Sequence, residues 1–178
     1  FTRIICLLQH ERRNRQTGQE PGEHYRGIQL MDELRELYQQ VILDHNKNPK
    51  NYGQPDEFTH DSEGFNPLCG DKVHIYLTLE NDRISDIRFA GCAISKASAS
   101  VMTTVLKGKT ITEAQVLFHA FQEMITADVQ TEPSYDQLGK LAVFAGVREF
   151  PSRIKCASLA WHTMSAATVN DDSPVSTE

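Results

Sequence analysis

The sequence predicts an α+β domain, a small three-stranded antiparallel sheet packed on one face by helices. Three observations predict it. Apolar and polar residues alternate over 72–90 on both sides of an Asn81-Asp82 turn; the apolar period becomes helical beyond Cys92; and the strands precede most of the helices in the chain.

The elements follow in order. From Met31, the residues Leu34, Leu37, Tyr38, Val41 and Ile42 form an i, i+3, i+4, i+7, i+8 stripe, so a helix is expected to run to about Asn46. Asn48-Pro49-Lys50-Asn51-Tyr52-Gly53 is turn chemistry, because Pro49 cannot continue a helix and Asn51 and Gly53 tolerate positive φ. A strand with a weak pattern is placed between Phe58 and Asn66. Val73, Ile75, Leu77 and Leu79 alternate with His74, Tyr76 and Thr78, and Ile87 and Phe89 share a face of the returning strand, which makes a hairpin. Ile94, Ala97, Val101 and Val105 line a helix closed by Gly108, and Ile111, Ala114, Leu117, Phe118, Phe121 and Ile125 line the next. Residues 127–136 are polar. Leu138, Leu141, Ala142 and Phe144 lead to Pro151-Ser152 and a last helix carrying Ile154, Ala157, Trp161 and Met164.

Composition bounds the function. The chain has 178 residues, 39% hydrophobic and 24% charged, enough apolar mass for one core. Its net charge is -6, with no Lys/Arg run interleaved with aromatics, so no nucleic-acid partner is expected. No window approaches the roughly 18 consecutive apolar residues of a membrane span, so no membrane role is expected either. Residues 1–30 hold five arginines among polar, Gly and Pro residues and read as a disordered or start-site extension; 31–168 form the domain; 169–178 read as a disordered tail.

Four cysteines are too sparse for a disulfide scaffold, and the expected setting is the cytoplasm, with reduced thiols. Cys6, without polar or Gly-rich context, reads as a small buried hydrophobe. The other three differ. Cys69 sits in Asn66-Pro67-Leu68-Cys69-Gly70-Asp71, Cys92 in Ala90-Gly91-Cys92-Ala93, and Cys156 in Arg153-Ile154-Lys155-Cys156-Ala157. Three thiolates and the Asp71 carboxylate make a set of four ligands, which suits tetrahedral zinc or an iron-sulfur cluster. Cys92 is expected between the second hairpin strand and the N-terminus of a helix, and Cys156 in the first turn of the last helix, where the dipole favours thiolate. His45, His74, His119 and His162 read as surface or satisfied side chains.

From about Met31 to about Ala167 the chain resembles the U-type iron-sulfur cluster assembly proteins, related to the N-terminal domain of NifU. Asn48-Pro49-Lys50-Asn51 resembles that family's Asn-Pro-Arg-Asn signature, Cys69-Gly70-Asp71 its first ligand motif, and the run Gly91 to Ser100 its second. The resemblance implies an IscU/SufU-like fold, with Cys69, Asp71, Cys92 and Cys156 as site residues and Cys69 as persulfide acceptor. Lys155 stands where IscU-type members carry a histidine, and the Cys92–Cys156 interval is longer than theirs; both features resemble the SufU branch. Phe150-Pro151-Ser152-Arg153-Ile154-Lys155 replaces the proline-rich chaperone-recognition signature.

That branch implies Zn2+ as cofactor, a SufS-like cysteine desulfurase as partner, and a downstream scaffold or apo iron-sulfur proteins as recipients. The wider family implies instead a scaffold carrying a [2Fe-2S] or [4Fe-4S] cluster. A structural zinc module without chemistry is the alternative from another class. As an enzyme the chain would be at most a zinc-dependent sulfurtransferase.

Overall fold

A computed structural model describes residues 36–37, 39–91, 93–128, 137–170 and 175–176. The first helix, α1, is helical over 39–47, and Val41 points into the core. The turn after it is anchored by side-chain hydrogen bonds and by Tyr52, whose ring meets that of Phe89 edge-on with centroids 5.3 Å apart. The Ser100 hydroxyl accepts from Lys50 N at 2.7 Å and meets His45 Nδ1 at 2.7 Å, and Asn51 Nδ2 donates to Thr103 Oγ1 at 3.0 Å. Asn51 takes a positive φ of 55°. Its carbonyl accepts from Phe89 N at 3.1 Å, and Gly53 N donates to Phe89 O at 2.8 Å, so this turn lies along the free edge of the sheet.

The sheet runs in the order β3-β2-β1-β4, with β1 at His60–Asn66, β2 at Asp71–Glu80, β3 at Arg83–Gly91 and β4 at Val175–Ser176. The expected hairpin is β2–β3: Asn81 and Asp82 have φ of 50° and 60°, the double left-handed turn that matches the twist of the strands. Val73, Ile75 and Leu77 on β2 and Ile87 and Phe89 on β3 face the core at a period of two, and a register shift opposite Thr78 and Leu79 turns Ile84, three residues before Ile87, to the same face. The sheet has four strands rather than three. β4 pairs parallel to β1, with Gly64 opposite Val175 and Phe65 opposite Ser176, so two residues of the expected disordered tail form the outer strand. An edge strand offers unpaired N–H and C=O groups; a two-residue strand satisfies some of them, yet is too short to show a period in sequence.

Three α-helices and a 3₁₀ segment follow. They are α2 (Ala93–Leu106), α3 (Ile111–Thr126), a 3₁₀ stretch (Gly139–Glu149) and α4 (Pro151–Thr168). α3 starts with a capping box: Thr110 accepts from Glu113 N, and the Glu113 carboxylate accepts from Thr110 N. α4 lies across β1 and β2 and against α2. Its Trp161 is fully buried, stacked on Phe121 with ring centroids 4.7 Å apart. The close seating of α4 depends on Gly64, since a Cβ there would collide with Thr163 Oγ1 and stand 3.0 Å from Leu159 Cδ1. Sheet and helices thus bring the β1–β2 loop against the first half of α4.

Candidate metal centre

The β1–β2 loop is set by its own hydrogen bonds. Asn66 and Asp71 are the last cross-strand pair. Between them, Gly70 N donates to Asn66 O at 2.9 Å and Leu68 N donates to Asn66 Oδ1 at 3.0 Å. Gly70 has a φ of 73°, which a residue with a Cβ rarely adopts, and this turn puts Cys69 at an exposed tip while Asp71 faces inward at 8% exposure. Ser95, wholly buried on α2, donates its hydroxyl to Asp71 Oδ2 at 2.9 Å.

Cys156 meets this loop from α4. Its Sγ lies 3.4 Å from Cys69 Sγ, and ligand atoms of Cys69, Asp71 and Cys156 all fall within 4.8 Å of one another. Three of the four expected site residues are therefore together. The fourth, Cys92, lies outside the described residues, as does Cys6. The expectation that Cys156 occupies the first turn of its helix is corrected: α4 begins at Pro151, so Cys156 is its sixth residue, with Sγ 3.5 Å from Ser152 O, beyond the free N–H groups of the helix start. Its thiol is pushed up, to about 12. Burial is the largest cause, followed by the hydrogen bond with Cys69 and the negative charges of Cys69 and Asp71; the Asn66 amide acts in the opposite direction.

This donor set fits a divalent cation. Crowding the buried Cys156 thiol against Cys69 and Asp71 disfavours its anion, and a bound cation would reverse that balance by taking the proton's place. Sulfur in the majority favours zinc, iron or copper over magnesium or calcium. Ser95 and Asn66 carried no assigned role in the sequence. A signal existed for Asn66: the inward positions of β1 are Ser62, Gly64 and Asn66, and a buried polar residue at a strand end needs a partner.

The histidines serve elsewhere. His74 sits on the outer face of the sheet with Nε2 2.6 Å from Asp61 Oδ2 and Nδ1 3.3 Å from Glu63 Oε1. His45 is tied to Ser100, and His119 and His162 pack on Phe118.

Comparison with known proteins agrees with this geometry. The profile of the NifU-like N terminal domain matches residues 37–157, more than half of the chain. The chain belongs to the NifU-like N-terminal domain family. Relatives of this NifU-like domain include the iron-sulfur cluster assembly scaffold protein IscU of Streptococcus pyogenes serotype M1, 40% identical over 139 residues, or 77% of this chain and 86% of that one. The zinc-dependent sulfurtransferase SufU of Bacillus subtilis (strain 168) is 39% identical over 142 residues, 78% of this chain and 94% of that one. Among solved structures, a protein of Fervidobacterium islandicum AW-1 described as a candidate iron-sulfur cluster assembly scaffold for the SUF system superimposes with a TM-score of 0.67 at 34% identity, covering 74% of this chain and 96% of that one. Among the described residues, no helix is long and apolar enough to cross a membrane.

Proposed function

We propose that this chain is an iron-sulfur cluster assembly protein of the SufU type, which takes sulfane sulfur from a SufS-like cysteine desulfurase onto Cys69 and passes it on for cluster building. The observation that carries the reading is the asymmetry of the site: Cys69 is exposed at a loop tip, whereas its neighbours Cys156 and Asp71 are buried and held by the hydrogen bonds of Asn66 and Ser95. Zinc is the proposed resident metal, held by Cys69, Asp71, Cys92 and Cys156, where it would keep the thiols deprotonated without redox chemistry. A thiolate that must meet a second protein needs an accessible sulfur, and Cys69 has one. Its sulfur attacks the outer sulfur of the donor's persulfide. The donor's S–S bond breaks, the new S–S bond forms on Cys69, the donor cysteine leaves as thiolate, and no oxidant is required. The recipients would be a downstream cluster scaffold or apo iron-sulfur proteins, the setting the cytoplasm, and the working unit residues 31–168.

The test is desulfurase turnover in the presence of the chain, with mass mapping of the transferred sulfur. Cys69→Ser is expected to abolish both the stimulation and the mapped persulfide; full stimulation by that variant would refute the reading.

The second reading, a scaffold on which a cluster is assembled as cargo, is favoured by the 40% identity to a protein named as an IscU scaffold. Metal and acid-labile sulfide content of the anaerobically purified chain separates the two: zinc without sulfide supports the sulfur acceptor, and iron with matching sulfide supports the scaffold. A purely structural zinc module fits poorly with an exposed cysteine and an aspartate in the set, because structural sites are closed Cys/His sets.

A further inference from the structure

We infer that Asn66 is a positioning residue for the metal centre, whose side-chain amide donates an N–H to the Cys156 sulfur and locks the Cys69/Asp71 loop to α4. The inference rests on the metal-binding reading above and adds to it a residue outside the ligand set. Asn66 is 1% exposed, so neither end of its carboxamide is left to bulk water.

The orientation of the amide follows from the chemistry of its neighbours. Leu68 N–H points at one end at 3.0 Å and can only donate, so that end is the oxygen. The other end is therefore the NH₂ group, and it faces Cys156 Sγ at 3.5 Å, within the reach of a sulfur acceptor. The backbone carbonyl of the same residue receives Gly70 N–H at 2.9 Å. Three hydrogen bonds from one residue thus define the turn that carries Cys69 and Asp71 and fasten it to the helix that carries Cys156. An N–H donated to a ligand sulfur lowers the energy of its lone pairs and fixes the direction from which they can bind, which is how neighbours of metal ligands tune affinity.

Asn66→Ser separates the two functions. A serine hydroxyl keeps an acceptor for Leu68 N–H in the same kind of turn, but it is too short to reach Cys156. In the cobalt-loaded chain, Asn66→Ser is expected to move the sulfur-to-cobalt charge-transfer band to lower energy. Zinc affinity, read by competition with a chromophoric chelator, is expected to fall by about 10- to 100-fold, as for other partners of metal ligands. An unmoved band would overturn the inference, even with weakened affinity, because a purely structural role predicts that combination. The wild-type chain supplies a check that no misfolded variant can confuse. Loaded with NMR-active cadmium, it should show a scalar coupling between the metal and the Asn66 side-chain amide proton, transmitted through the N–H···S bond; an absent coupling, with backbone amide couplings detected, would also overturn it. If the wild-type chain takes up neither cobalt nor cadmium, the metal centre itself fails, and this inference with it.

Discussion

Gly64→Ala tests whether the seating of α4 on β1 sets the site. The added methyl would collide with Thr163 Oγ1 and come within 3.0 Å of Leu159 Cδ1, so the helix must move away from the strand. Both obstacles are buried and lie three and seven residues beyond Cys156 on α4, the spacing of one helical face. A displacement there is transmitted to the Cys156 sulfur, which lies 3.4 Å from its partner in Cys69. Overpacking of this kind costs about 1–3 kcal/mol. Taking about 2 kcal/mol, and about 4 °C per kcal/mol for a domain of this size, the expected fall in Tm is about 8 °C. Urea unfolding and calorimetry of the metal-free chain measure it, and zinc competition measures the loosened site. Thr163→Ala supplies the control. It removes the obstructing oxygen together with a hydrogen bond to Leu159 O and a buried methyl, a cost that Thr163→Ala alone measures, so against that single variant Gly64→Ala should cost at most half of what it costs in the wild type. A Gly64→Ala chain as stable as wild type, or one that Thr163→Ala does not rescue, would refute the argument from close packing.

Ser95→Ala leaves the buried Asp71 carboxylate without its hydroxyl partner and should weaken zinc binding about 10-fold or more, read by chelator competition; unchanged affinity would show that Asp71 is not part of the set. Thr110→Ala breaks the capping box of α3, far from the centre in sequence, and should lower stability by about 1 kcal/mol while zinc affinity stays constant. The raised Cys156 thiol predicts a pH dependence. Above its ordinary value of 9.0 the unfolded chain releases a proton that the folded metal-free chain keeps up to about 12, so stability falls as pH climbs through that window. Cys156→Ala should lack this component in urea titrations across the same range.

Much of this could be read from sequence because the signals were local. Asn81-Asp82 between alternating runs specifies a hairpin, and the apolar stripe from Ile111 to Ile125 specifies a helix. Cys69 and Asp71 stood out because they flank Gly70, and the structure brings them together with Cys156, although Cys156 lies past the helix start expected to hold it. The 3₁₀ stretch at Gly139–Glu149 was not legible: Leu141, Val143, Phe144, Ala145 and Val147 are all buried, so no single face carries the apolar period. The turn position of Cys156 was misjudged although Pro151, a typical first helical residue, marks where α4 begins. Ser95 stayed hidden because its partner arises from a strand 24 residues away. Short-range rules cannot reach that contact.

The two sulfurs that meet at 3.4 Å are separated by 87 residues of chain. During synthesis the loop with Cys69 and Asp71 emerges long before the last helix is made, and on its own it offers one thiol and one carboxylate. The pair of thiols exists only once α4 has docked across β1 and β2, so a metal held by this pair would be taken up by finished molecules rather than half-made ones. A metal held by both sulfurs would bind the folded chain and not the unfolded one, and would stabilise the fold by mass action. Loading the proposed site would therefore double as a clasp on the whole domain.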